Sequence, residues 1–136
     1  MKYLGIVGSR DYPNAWQRVS KFVDALPPRV CVVSGGADGP DKFAEERARE
    51  RGLWVMVKDA VWRPGGVFDP RAGFDRNADL VLFLAGVGGA GVAFWDGKSR
   101  GTADTIDKMR QVGRPLWIVR PTDPLPRSAV KWCFRG

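Results

Sequence analysis

The chain has 136 residues, 44% of them apolar and 27% charged, and a net charge of +7. Such a length suits one domain spanning 1–136, large enough to bury a core without disulfides or a structural metal. There is no histidine, which excludes His-based acid catalysis, His-containing triads and two-His zinc motifs, and no apolar run approaches the roughly 18 residues of a membrane span.

Strand and helix signals alternate along the chain. Residues 3–7 form an apolar run that stops at Gly8-Ser9-Arg10 and reads as a first strand rather than a signal peptide. Trp16, Val19, Phe22, Val23 and Leu26 recur at helical spacing after Pro13 and before Pro27-Pro28. Residues 30–33 are β-branched around Cys31, as suits a strand buried on both faces. A helix is predicted over 40–51, stopped by Gly52, and a third strand over 53–57. Residues 59–70 read as a loop rich in Pro and Gly. The segment 79–85, DLVLFLA, has strand-like content. We assign it to helix, because Gly86-Val87-Gly88-Gly89 reads as a helix exit and a strand is needed at 92–95 before the next glycine-rich turn. A helix over 102–112, a last strand over 116–119 and an irregular Pro-rich arm over 120–136 complete the chain. This alternation predicts a Rossmann-like αβα sandwich, with about five mainly parallel strands and helices on both faces.

Ligands of such sheets sit outside the carboxyl ends of the strands. Three glycine-rich turns fall there: Gly8-Ser9-Arg10, Ser34-Gly35-Gly36-Ala37-Asp38-Gly39 and Trp95-Asp96-Gly97-Lys98-Ser99-Arg100-Gly101-Thr102. Glycine lets a ligand approach the backbone, and the helix start that follows offers unpaired N–H groups to an anion. One such turn is only a turn. Three at one sheet edge, interleaved with Ser, Thr, Lys and Arg, point to a phosphate-bearing ligand, with a nucleotide first among the candidates. Neither a Walker loop nor a dinucleotide fingerprint after the first strand is present.

The segments GSR at 8–10, SGGADGPD at 34–41, AGFDRN at 72–77 and FWDGKSRGT at 94–102, with the Trp62 region between them, resemble the SLOG superfamily. That superfamily joins the DNA-processing DprA/SMF proteins and the LOG nucleotide hydrolases, and the match is to its YspA/YpsA-like branch. The resemblance implies a Rossmann-like domain binding a nucleotide or nucleotide-derived ligand. Gly35, Gly36, Gly39, Asp96, Gly97, Ser99, Gly101 and Thr102 fall on the ligand side, and Arg76 where LOG hydrolases carry a functional arginine. Related proteins often pair, so a homo-oligomer is an expectation. LOG hydrolases follow their Gly-Thr turn with two residues and a catalytic glutamate. Here Gly101-Thr102 is followed by Ala103, Asp104 and Thr105. Asp104 is one position early, a rotation of about 100° on a helix.

The expected ligand contacts are therefore Gly8, Ser9, Arg10, Ser34, Gly35, Gly36, Asp38, Gly39, Arg76, Asn77, Asp96, Gly97, Ser99, Gly101 and Thr102. Arg76, Asp96 and Asp104 are the candidates for any catalysis. Arg10 and Arg76 suit phosphate, or else ion pairs with nearby aspartates. Asp96 is expected to face the ligand, with an Asx-turn as the plainer role. Asp41 reads as a cap for the helix that follows it, and Trp62 and Trp95 as core, with stacking on a base as the alternative. A nucleotide-binding or sensing module is the leading reading. Hydrolysis of an N-glycosidic or phosphate bond comes second, and DprA-like nucleic-acid binding third, because the basic residues are scattered. No cofactor, metal site or membrane partner is expected, and two unpaired cysteines without an export signal suit the cytoplasm.

Overall fold

A computed structural model describes residues 1–135. Five strands alternate with helices in chain order: β1 (Lys2–Gly8), α1 (Ala15–Asp24), β2 (Val30–Ser34), α2 (Pro40–Glu50) and β3 (Trp54–Val57) form the first half. The second half is α3 (Ala72–Val87), β4 (Ala90–Phe94), α4 (Arg100–Val112), β5 (Leu116–Val119) and α5 (Arg127–Phe134). All strand pairs are parallel, in the order β3-β2-β1-β4-β5. The chain winds outward from β1 through β2 to β3, then crosses back to lay β4 on the other side of β1. That reversal creates a crevice at the carboxyl ends of β1 and β4, where open α/β sheets bind ligands.

The period of two along each strand divides the core between the two faces. Leu4, Ile6, Val30, Val32, Val92 and Phe94 pack against α1, α2 and α5. Val7, Cys31, Val33 and Ala93 pack against Leu80, Val81 and Leu84 of α3 and Ile106 and Met109 of α4. β1, β2 and β4 are covered on both sides, so their residues form continuous apolar runs rather than alternating ones.

The segment 79–85 is helical, as assigned. Leu80, Val81 and Leu84 are buried while Leu82 is 64% exposed, a helical spacing that no strand would give. One expectation is corrected. The arm is not irregular throughout: its three prolines precede α5, whose buried Ala129 and Cys133 recur at i, i+4 and dock on the α1 side of the sheet. Trp117 of β5 and Trp132 of α5 meet at 6.5 Å between ring centroids. No helix among the described residues is long and apolar enough to cross a membrane.

Candidate ligand-binding site

A cavity of about 660 Å³ opens over the ends of β1 and β2 and beside the first turn of α4. Nine of the expected contact residues line it. Gly8 and Arg10 come from the first turn, Gly36 and Asp38 from the second, Arg76 and Asn77 from α3, and Ser99, Gly101 and Thr102 from the start of α4. The volume lies within the usual range for small-molecule sites.

Asp41 sits at the floor, in the second position of α2, and is 2% exposed. It was expected to cap its own helix, but its carboxylate serves other segments. Oδ1 accepts from the N–H of Gly8 at 3.0 Å and Oδ2 from the N–H of Gly35 at 3.0 Å. One buried side chain thus ties the ends of β1 and β2 together. Burial pushes its carboxyl up to about 7, against the opposing pull of the Arg76 charge and the backbone N–H groups. Gly35 is glycine because this crossing is tight: a Cβ there would lie 2.8 Å from Asp41 Oδ2 and 3.0 Å from Arg76 Cδ. Gly36 adopts φ +73°, a conformation that strains any side chain, and a Cβ there would also force the exposed Asp59 carboxylate to swing aside.

Arg76 is held from two directions. Its Nη1 donates to the Gly35 carbonyl, and its Nε donates to Asn77 Oδ1 at 2.9 Å. Asn77 in turn donates from Nδ2 to the Gly101 carbonyl and to Asp104 Oδ2, both at 3.1 Å. This chain of contacts fixes the guanidinium of α3 relative to the start of α4. Ser99 caps α4 by accepting from the Thr102 N–H at 3.3 Å. The cavity therefore has an anchored guanidinium on one wall and a helix N-terminus on another, an arrangement suited to an anion. Arg10 makes no ion pair or side-chain hydrogen bond among the described residues, whereas Lys42 pairs with Asp38 at 3.3 Å.

Other expected residues lie behind the wall or outside it. Ser9 is fully buried; its Oγ accepts from the Asp96 N–H at 3.0 Å, and its own N–H donates to the Phe94 carbonyl at 2.9 Å. Ser34 is also buried, donating to Glu45 Oε2 at 2.5 Å and accepting from the Gly36 N–H at 2.9 Å. Gly35 and Gly39 support the second turn without lining the cavity, and Gly97 packs beside Arg120.

Two of the three catalytic candidates are also off the cavity. Asp96 was expected to face it, but its Oδ1 closes an Asx-turn on the N–H groups of Lys98 and Ser99 at 2.8 and 2.9 Å. Partial burial raises its carboxyl, but those N–H groups and the Ser9 hydroxyl outweigh that effect and hold it below the ordinary range. Asp104 is engaged by Asn77 and paired with Lys108. Thr105, where a LOG hydrolase would carry glutamate, lines the cavity and donates from Oγ1 to the Gly101 carbonyl at 3.4 Å.

The structure adds Asp41, Lys42, Asp59, Ala60, Trp62 and Thr105 to the lining. Trp62 is not core. It is 47% exposed and stacks on Phe68, with ring planes 8° apart and centroids 6.1 Å apart. The available signal was its setting, a tryptophan inside a Pro/Gly-rich loop rather than a strand end. Trp95 is half-buried against the α3–α4 side of the core, with Arg120 over its ring at 5.2 Å.

The fold and the position of the cavity define a Rossmann-like α/β domain with a five-stranded parallel sheet and a crevice beside its switch point. The X-ray structure of DNA processing protein A from Streptococcus pneumoniae matches with a TM-score of 0.74 at 17% identity, covering 100% of this chain and 57% of that one. The X-ray structure of TM1055, a structural-genomics target, matches with a TM-score of 0.67 at 19% identity, covering 85% of this chain and 72% of that one. The chain thus spans little more than half the length of the DNA processing protein. No protein-family model matches the sequence, and no curated protein matches it.

Proposed function

We propose that this domain binds a nucleotide or nucleotide-derived ligand in the cavity over β1 and β2, as a binding or sensing module of the YspA/YpsA-like kind. The observation that carries this reading is one cavity lined by the anchored Arg76 guanidinium, the start of α4 and Trp62. The guanidinium and the helix N-terminus favour a phosphate. The half-exposed indole offers a face to a base, worth about 1–3 kcal/mol where such stacking occurs. Asp38 and Asp59 at the rim are acceptors for ribose hydroxyls.

Cleavage is the second reading, and one observation favours it: Asp41, a buried carboxyl at the cavity floor whose pKa stands at about 7. A group poised near neutrality is a candidate acid or base. Against that, both of its oxygens are engaged by backbone N–H groups, and Asp104 is withheld by Lys108 and Asn77.

Calorimetric titration with AMP and with ribose 5-phosphate, followed by chromatography of the mixtures, tests both readings. AMP is expected to bind more tightly than ribose 5-phosphate and to be recovered intact. Failure of both to bind removes the nucleotide reading, and rapid release of adenine replaces it with the hydrolase. Polynucleotide binding that weakens steeply with salt would favour a role closer to that of the DNA-processing neighbour.

A further inference from the structure

We propose that the groove between α1 and the Pro-rich arm ahead of α5 docks a short acidic, apolar segment of a partner protein. The groove encloses about 600 Å³ and shares no residue with the strand-end cavity. Its floor is apolar: Phe22 and Ala25 lie on the α1 side, and Pro124, Leu125, Pro126 and Val130 on the other. Its polar lining is Gln17, Arg18, Lys21 and Arg127, three cations with no carboxylate among them.

The arm wall is preformed. Pro124 and Pro126 fix their own φ. The Arg120 N–H donates to Asp123 Oδ2 at 2.8 Å, and the Asp123 N–H donates back to the Arg120 carbonyl at 3.0 Å. Arg18 staples this turn to α1: its Nη2 donates to the Asp123 carbonyl at 2.5 Å, and its Nε to the Tyr12 hydroxyl at 3.1 Å. Leu125 and Val130 pack on the core that includes Phe22. A segment entering the groove meets walls that are already ordered, so binding does not bear the cost of building them.

The charge of the rim selects the occupant. Arg18 donates only to neutral oxygens, so its charge stays uncompensated. Lys21 and Arg127 are exposed and form no ion pair or side-chain hydrogen bond among the described residues. Asp24 on the same helix is paired with Arg47, and the Asp123 carboxylate is turned to the backbone of the arm. The lining runs from Gln17 to the C-cap Ala25, about 12 Å of helix. That length suits about four residues of extended chain, with an apolar side chain on the floor and carboxylates toward Lys21 and Arg127. A second copy does not fit in a symmetric pairing through this face, because it would set the three cations against the same three.

The test is selection of a phage-displayed random heptapeptide library on the full chain and on the double variant Lys21→Glu/Arg127→Glu. Both side chains are exposed, so the variant keeps the fold, which a denaturant melt checks. The natural chain is expected to enrich peptides with an aliphatic or aromatic residue flanked by acidic ones, and the variant to lose that enrichment. The synthetic consensus peptide is expected to shift the backbone amides of Lys21, Ala25 and Val130 in NMR spectra, and to bind the variant about tenfold or more weakly. No consensus, a consensus without acidic residues, equal binding to the variant, or amide shifts confined to the strand-end cavity overturns the proposal. Cosedimentation with phosphatidylglycerol vesicles in place of any peptide consensus gives the groove to a membrane surface and overturns it as well.

Discussion

Raising the pH from about 5 to about 8 is expected to destabilise this protein through a single side chain, Asp41. Its carboxyl stands at about 7 in the fold against 3.8 in the unfolded chain. The folded state therefore holds a proton that the unfolded state has released. A carboxyl raised by folding contributes stability that is full below the unfolded pKa and is lost as pH rises through the folded one. The whole difference is on the order of 4 kcal/mol, of which about 2–3 kcal/mol falls between pH 5 and pH 8. For a domain of this size that corresponds to about 6–10 °C in Tm. The window is unusually clean because the chain has no histidine. Burial also pushes both cysteine thiols upward, Cys133 to about 11. Urea melts at several pH values check the slope, and Asp41→Asn should flatten it whatever that variant costs in absolute stability. A wild-type protein equally stable at pH 5 and pH 8, or an unchanged slope in Asp41→Asn, would refute the reasoning.

Three further outcomes follow from named contacts. Arg76→Ala should weaken AMP binding by about 1.5–3 kcal/mol through loss of a charge-assisted contact, read by calorimetry. Gly36→Val should lose binding and also about 1–3 kcal/mol of stability, because φ is +73° and a side chain there would displace the Asp59 carboxylate; denaturant melts measure the loss. Phe94→Ala should cost about 3–5 kcal/mol in the same melts, since Phe94 is fully buried and packs edge-on against Tyr12 and Phe22.

The central strands were legible in the sequence because burial on both faces leaves uninterrupted runs such as Val30–Val33, each ending in a glycine-rich turn. Helix α3 was legible only through topology, since DLVLFLA suits a strand by content and a crossover by position. Helix α5 was hidden by its prolines, although Ala129 and Cys133 carry a helical interval. At the site, the turns themselves were readable, because backbone geometry is written in glycine. Side-chain direction was not. Asp96 and Asp41 both sit at an element boundary, and local pattern assigns each to its nearest N–H groups. Asp96 does bond locally, whereas Asp41 reaches back 6 residues to Gly35 and 33 residues to Gly8 at the end of another strand. A partner as remote as Gly8 leaves no spacing to read. For Trp62 the sequence left core and base-stacking readings open, because only the folded loop shows that the ring forms a cavity wall.

The most direct test is an NMR titration of the isotope-labelled protein with AMP, following backbone amides. Shifts are expected at Gly36, Asn77 and Thr102, which line one cavity from three separate elements, and they should be much weaker in Arg76→Ala. An unchanged spectrum, or shifts confined to a surface away from those three residues, would contradict a nucleotide site at the strand ends.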